Sequence, residues 1–214
     1  MPIKLGIIPV TPYEQNCSIL VCQETGDAAV IDPGGDIDKI LEGIKQLGGT
    51  VKKILLTHGH LDHCAAAKDL AEMLKVPIEG PQIEERFWID QLPEQTVRFG
   101  FGHAKVFEPD RWLNNGDHVK VGNVDLEVFH CPGHTPGHVV FFDKEDRLAI
   151  VGDVLFAGSI GRTDFPRGNH ADLINAIKTK LWPLGDDVQF VPGHGPMSTF
   201  GQERKTNPYV GDGA

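Results

Sequence analysis

The chain has 214 residues, 40% of them hydrophobic, and its 30 acidic side chains outnumber 20 basic ones for a formal net charge of -10. Nucleic acids are held mainly by Lys and Arg neutralising phosphates, so this balance argues against a nucleic-acid partner and, on the same ground, against a membrane surface. The length and apolar content predict one domain over residues 1–214, and four cysteines in a chain this long read as reduced thiols of a cytoplasmic protein rather than as a disulfide scaffold.

Ile3 to Val10, Cys17 to Cys22 and Ala28 to Ile31 are short apolar runs separated by polar turns, the pattern of strands. Pro2 and Pro9 bracket the first run and no small-residue cleavage site follows, so it is read as a strand and not as an export leader. Nowhere does an apolar stretch approach the roughly 18 residues of a membrane span. Ile37, Ile40, Leu41, Ile44 and Leu47 recur at helical spacing, with Asp36 as N-cap and Gly48-Gly49 as the stop. Lys53 to Thr57 is a further strand and Ala65 to Leu74 a helix that ends as Pro77 approaches. Gln91 to Asn115, interrupted by Pro93, Gly100, Gly102 and Pro109, reads as a long connection or insertion. Strands are predicted at Val119 to Val121, Val124 to His130, Val139 to Phe142, Leu148 to Val151 and Val188 to Val191. Leu173, Ile174, Ile177 and Leu181 mark a helix ahead of Trp182-Pro183, and the tail from Thr206 to Ala214 is expected to fray. Strands in excess with helices interspersed predict an α/β protein in which two sheets pack face to face and helices cover them.

Three of the strands run into loops of one character: Thr57-His58-Gly59-His60-Leu61-Asp62-His63, Pro132-Gly133-His134 and Pro192-Gly193-His194. A fourth runs into Gly152-Asp153. If these strands point the same way, five histidines and two aspartates converge on one rim. Imidazole and carboxylate suit borderline-hard divalent metals, and seven such groups exceed what one tetrahedral ion uses, so two metals are implied. Within His58-x-His60-x-Asp62-His63, an extended segment sends His58 and His60 to one side and the turn into a helix sends Asp62 and His63 to the other. His103, His118 and His170 read as surface histidines, His130 as packing, and His138 as support for the site. Cys64 and Cys131 lie beside ligand candidates but are not needed as thiolates, and Cys17 and Cys22 read as buried thiols.

The motifs Thr57-His58-Gly59-His60-Leu61-Asp62-His63, Gly133-His134-Thr135-Pro136-Gly137-His138, Gly152-Asp153 and Gly193-His194-Gly195-Pro196 resemble those of the metallo-β-lactamase superfamily over essentially the whole chain. Gly161-Arg162-Thr163-Asp164-Phe165-Pro166-Arg167-Gly168 and the segment Gly193 to Thr199 look like the short type II glyoxalases, hydroxyacylglutathione hydrolases without a C-terminal helical domain. This resemblance implies an αββα sandwich of two mixed sheets flanked by helices, with a dinuclear centre. It assigns His58, His60 and His134 to one metal, Asp62, His63 and His194 to the other, and Asp153 to the bridge between them, with Asp32 supporting the ligand loops from behind. Zinc is the expected metal, with iron and manganese also compatible.

The implied reaction is hydrolysis of a glutathione thioester such as S-D-lactoylglutathione, by a hydroxide bridging the two metals, with no serine or cysteine nucleophile and with Asp62 at most handling protons. Arg162 and Arg167 are the candidates for the substrate's carboxylates. The longer type II glyoxalases have a tyrosine after the bridging aspartate that finds no match at Gly158-Ser159-Ile160. The alternative is a mononuclear iron persulfide dioxygenase, a branch that shares a Gly-Arg-Thr-Asp-Phe turn. A zinc β-lactamase ranks lower, being normally exported and expected to show cysteine where Asp153 stands.

Overall fold

A computed structural model describes residues 3–214. Its first sheet begins with β1 (Ile3–Val10), β2 (Gln15–Cys22) and β3 (Asp27–Ile31), which pair antiparallel in sequence. After helix α1 (Ile37–Leu47), β4 (Thr50–Leu55) adds parallel to β3. Short helices α2 (Leu61–Cys64) and α3 (Ala67–Leu74) then lead to β5 (Ile78–Glu79), parallel to β4. Helices α4 (Arg86–Asp90) and α5 (Leu92–Phe99) follow a single 3-10 turn at Ile83–Glu85. The second sheet takes β6 (His118–Val121), β7 (Val124–His130), β8 (Val139–Asp143) and β9 (Leu148–Gly152) as an antiparallel meander. A hairpin of β10 (Leu155–Phe156) and β11 (Ser159–Ile160) and helix α6 (His170–Ala176) precede β12 (Gln189–Pro192), which is parallel to β9. The short β13 (Ser198–Thr199) and α7 (Phe200–Thr206) complete the order.

Period-two patterning makes the layers. In β2, Ile19 and Val21 join Ile40 of α1 and Leu70 of α3 in one apolar cluster, while Leu20 and Cys22 face the other sheet. In β8, Phe141 packs into that inter-sheet layer with Ile150 and Val191, while Val140 and Phe142 turn to Leu173 of α6 and to Phe190 and Phe200. Both faces of each central strand are therefore buried; the two sheets pack face to face as the strand-rich pattern predicts, in the αββα sandwich of two mixed sheets that the resemblance implies.

Several local expectations differ from what is observed. Asp36 precedes α1 but sits in a left-handed conformation, φ 47°, and its carboxylate accepts from the Thr11 backbone N–H and from Lys39 Nζ instead of capping the helix. The helix predicted from Ala65 to Leu74 is observed as α3, starting at Ala67, and a separate short helix, α2, precedes it from Leu61 to Cys64. Gln91 to Asn115 is not one irregular connection, since Leu92–Phe99 is helical. Pro93 lies in its first turn, where a missing N–H costs nothing, and Gly100 closes it at φ 73°. The helix through Leu173 continues past Ala176 as a wide π-turn at Ile177–Leu181, which keeps Ile177 and Leu181 buried. The tail does not fray: Val210 is fully buried and the Asp212 N–H donates to the Arg204 carbonyl.

β3, β4, β9, β12 and β7 run so that the loops after them meet. The Val139 N–H donates to the Thr57 carbonyl at 2.8 Å and the Asn16 N–H to that of Gly193 at 2.7 Å, which stitches the two sheets together at this end, while the Gly193 N–H donates to the Gly152 carbonyl at 2.7 Å within the second sheet.

Candidate metal centre

Asp32 follows β3 in a left-handed conformation, φ 54°, and is almost completely buried. Its carboxylate accepts from the Thr57 N–H at 2.7 Å and the Thr57 hydroxyl at 2.6 Å, and from His63 Nδ1 at 2.9 Å. Because the Thr57 hydroxyl donates to Asp32, the 3.0 Å contact between Thr57 Oγ1 and His58 Nδ1 requires the imidazole to donate. His134 Nδ1 faces the Arg162 carbonyl at 2.8 Å and His194 Nδ1 the Tyr13 carbonyl at 3.1 Å, so these too must donate. In their neutral forms, His58, His63, His134 and His194 are thereby left with a lone pair on Nε2.

Those lone pairs converge. His58 Nε2 and His134 Nε2 each lie 3.1 Å from His60 Nδ1, which can donate one proton to one of them and no more. Beside them, His194 Nε2 lies 3.2 Å from an Asp62 carboxylate oxygen and His63 Nε2 lies 3.8 Å from the same oxygen. Asp153 reaches both groups, with one oxygen 3.4 Å from His63 Nε2 and the other 3.5 Å from His134 Nε2 and 3.8 Å from His194 Nε2. His63 Nε2 and one Asp153 oxygen are buried with no hydrogen-bond partner. Acceptors packed against acceptors, two of them orphaned, are unfavourable unless a proton or a cation lies between them, and the donor set fits a pair of divalent metals. His58, His60 and His134 form one group with ligand geometry, and Asp62, His63 and His194 form another.

Residues 10–194 match the family model described as Metallo-beta-lactamase superfamily. The chain belongs to this superfamily. It is 47% identical over 208 residues to the hydroxyacylglutathione hydrolase GloC of Haemophilus influenzae, covering 97% of this chain and 98% of the relative. The crystal structure of the BLEG-1 B3 metallo-beta-lactamase superposes with a TM-score of 0.88 at 33% identity, covering 97% of this chain and 99% of that one. TTHA1623 in a di-iron-bound form superposes at 0.86 with 33% identity, covering 96% and 100%.

The electrostatics of this superfamily member divide the two groups. Burial, reinforced by neighbouring imidazoles, holds His58 well below its ordinary range and pushes His60 down to about 3, so both stay neutral. Burial also favours the neutral form of His63 and His194, but the carboxylates of Asp62 and Asp153 outweigh it and raise both. Burial opposes ionisation of Asp153, yet His63 and its neighbours hold it far below the usual carboxylate range.

His138 stacks on His58 with ring centroids 4.6 Å apart, and its Nε2 accepts from the Asp153 backbone N–H at 3.0 Å. His130 is tied to the Pro136 carbonyl, while His103, His118 and His170 are exposed. Cys64 and Cys131 are fully buried with thiols pushed up by burial, Cys131 to about 12, and are inert at neutral pH.

The centre opens into a cavity of about 950 Å³ whose wall includes Trp88, Phe165, Tyr13 and Phe156. Trp88 and Phe165 each put a ring 4.6 Å from that of His60. Arg162 lines the cavity, but Asp164 holds its guanidinium through two 2.6 Å bonds and Phe165 stacks under it at 4.4 Å. Arg167 is not part of the wall. It pairs with Glu84 and lies over Phe87 at 4.9 Å. Glu85 was missed from sequence: fully buried, it accepts from the Gly59 N–H at 2.8 Å and the Gly137 N–H at 2.6 Å, joining two of the site loops. The backbone acceptors at Tyr13 and Arg162 leave no sequence signal, since any residue type supplies a carbonyl.

Proposed function

We propose that this chain is a metal-dependent hydrolase of glutathione thioesters such as S-D-lactoylglutathione, releasing D-lactate and glutathione. The observation that carries the reading is the convergence of bare histidine nitrogens and two carboxylates on the floor of a cavity, in a chain similar to GloC along almost its whole length. His58, His60 and His134 would hold one ion, Asp62, His63 and His194 a second, and Asp153 both. An all-nitrogen-and-oxygen set suits zinc, with iron or manganese as alternatives. When bound, such ions lower the pKa of a shared water toward neutrality and polarise the scissile carbonyl.

The chain's own residues do the remaining work. Asp32 and the Arg162 and Tyr13 carbonyls keep the imidazoles in the tautomer that presents Nε2. Trp88 and Phe165 border His60 with apolar rings and exclude bulk water from its side. An Asp62 oxygen, 3.2 Å from His194 Nε2, is placed to accept a proton. No thiol is exposed among the described residues to serve as nucleophile, and four buried, unbridged cysteines fit a cytoplasmic enzyme.

The test is turnover of glutathione thioesters by protein of measured metal content, with an oxygen electrode and a chromogenic β-lactam run in parallel. Thioester turnover at two metals per chain is expected, and Asp153→Ala should lose most of both metal and activity. One iron per chain with oxygen uptake on glutathione persulfide would replace the reading with a dioxygenase. β-Lactam hydrolysis alone would favour a lactamase, the reading that the similarity to BLEG-1 supports.

A further inference from the structure

The cavity is much larger than a lactoyl group needs, and one side of it is the helix α5, which contributes Gln91 at its start and then Glu94, Gln95, Arg98 and Phe99. Glu94 and Arg98 are four residues apart, so they stand on one face of the helix about 6 Å apart along its axis. Both are exposed, and neither forms an ion pair with any described residue. A Glu-x-x-x-Arg spacing commonly closes on itself, yet here it stays open toward the cavity.

The other charges of the wall are committed. Asp62 belongs to a candidate metal-binding group, Asp153 lies 3.4 Å from His63 Nε2 and Arg162 is held by Asp164, which leaves Glu94 and Arg98 as the free carboxylate and the free guanidinium of the described wall. Arg98 lies 5.5 Å from the ring of Phe99, which is 51% exposed and offers apolar contact beside it. A neighbouring cation and anion on one helix face match a ligand group that carries both signs. An isolated carboxylate would gain from Arg98 and be repelled by Glu94.

Resting on the thioester-hydrolase reading, we propose that α5 carries a subsite for a zwitterionic α-amino-acid head, the γ-glutamyl end of the glutathione moiety, with Arg98 binding its carboxylate and Glu94 its ammonium. Substrate recognition then lies in the segment between β5 and β6, inside the catalytic fold.

The experiment compares Glu94→Gln and Arg98→Gln with the wild-type enzyme on S-lactoylglutathione, on its N-acetylated form and on the lactoyl thioester of N-acetylcysteamine, which has no charged groups. Both variants change exposed side chains, so folding and metal content should be unaltered. Arg98→Gln should raise KM for S-lactoylglutathione roughly tenfold with kcat unchanged, and leave kcat/KM for the N-acetylcysteamine thioester as it was. Glu94→Gln should raise KM in the same way, and its effect should vanish on the N-acetylated substrate. An unchanged KM, or an equal shift on charged and uncharged thioesters, would overturn the subsite while leaving the hydrolase reading intact. If the wild type hydrolyses no thioester, the hydrolase reading falls by itself, and calorimetric binding of glutathione decides the subsite: equal affinity for wild type and R98Q overturns it.

Discussion

Glu85 shows how one side chain can organise a site without touching the converging nitrogens. Its two oxygens each accept a backbone N–H, one between His58 and His60 and the other beside His138, so it joins the loops after β4 and β7. Burial pushes its pKa up to about 7 in spite of those donors. The unfolded chain, with an ordinary value of 4.5, loses this proton first as pH rises. Between about pH 4.5 and 7 the native state therefore binds more protons than the unfolded one, and stability falls with rising pH by up to about 3 kcal/mol. Glu85→Gln has no proton to lose. In urea unfolding of chelated protein, the wild type should lose stability relative to this variant from pH 5 to pH 7, and a pH-independent difference would contradict the assignment.

At the scale of elements, the end of β3 decides how two ligand loops are held. Asp32 leaves the strand in a left-handed turn and from there bonds Thr57 and His63. Asparagine tolerates that backbone conformation, so Asp32→Asn isolates the hydrogen bonding from the turn. Metal affinity should fall by roughly 10 to 100-fold in a chelator competition, because His63 loses the acceptor that selects its tautomer. Retention of wild-type affinity would make Asp32 a turn residue only. α5 gives the opposite lesson about legibility. Pro93 and Gly100 look like breakers of a 25-residue irregular stretch, but they stand at the first turn and the closing position of a helix, where such residues belong. Read as boundaries rather than interruptions, they mark the element.

On the scale of the whole molecule, stability lies in three apolar layers, and the one between the sheets is shared by both halves of the centre. Phe141 fills that layer with no exposure, so Phe141→Ala should cost about 3–5 kcal/mol in urea unfolding. It should leave the metal content of the folded fraction unchanged. Chelation acts differently on the proposed dinuclear reading, since it would remove the counter-charge of Asp62 and Asp153 and leave the clustered histidine nitrogens packed against one another. A clear fall in Tm is expected on treatment with a chelator, reversed by adding back zinc. An unchanged Tm would mean that the donor groups are satisfied without metal. No helix among the described residues is long and apolar enough to cross a membrane.

The sequence by itself determined the layer pattern and the seven candidate ligands, because both are written locally: alternation along a strand, and His/Asp motifs directly after apolar runs. Tertiary structure decided what those residues can do. The acceptor that sets the tautomer of His194 is 181 positions away at Tyr13, and the one for His134 is 28 away at Arg162. Likewise, only packing separates Arg167, bound to Glu84 outside the cavity, from Arg98 on its wall. Charge and spacing are properties of the chain, whereas the partner that neutralises a charge or fixes a proton comes from wherever the fold brings another segment.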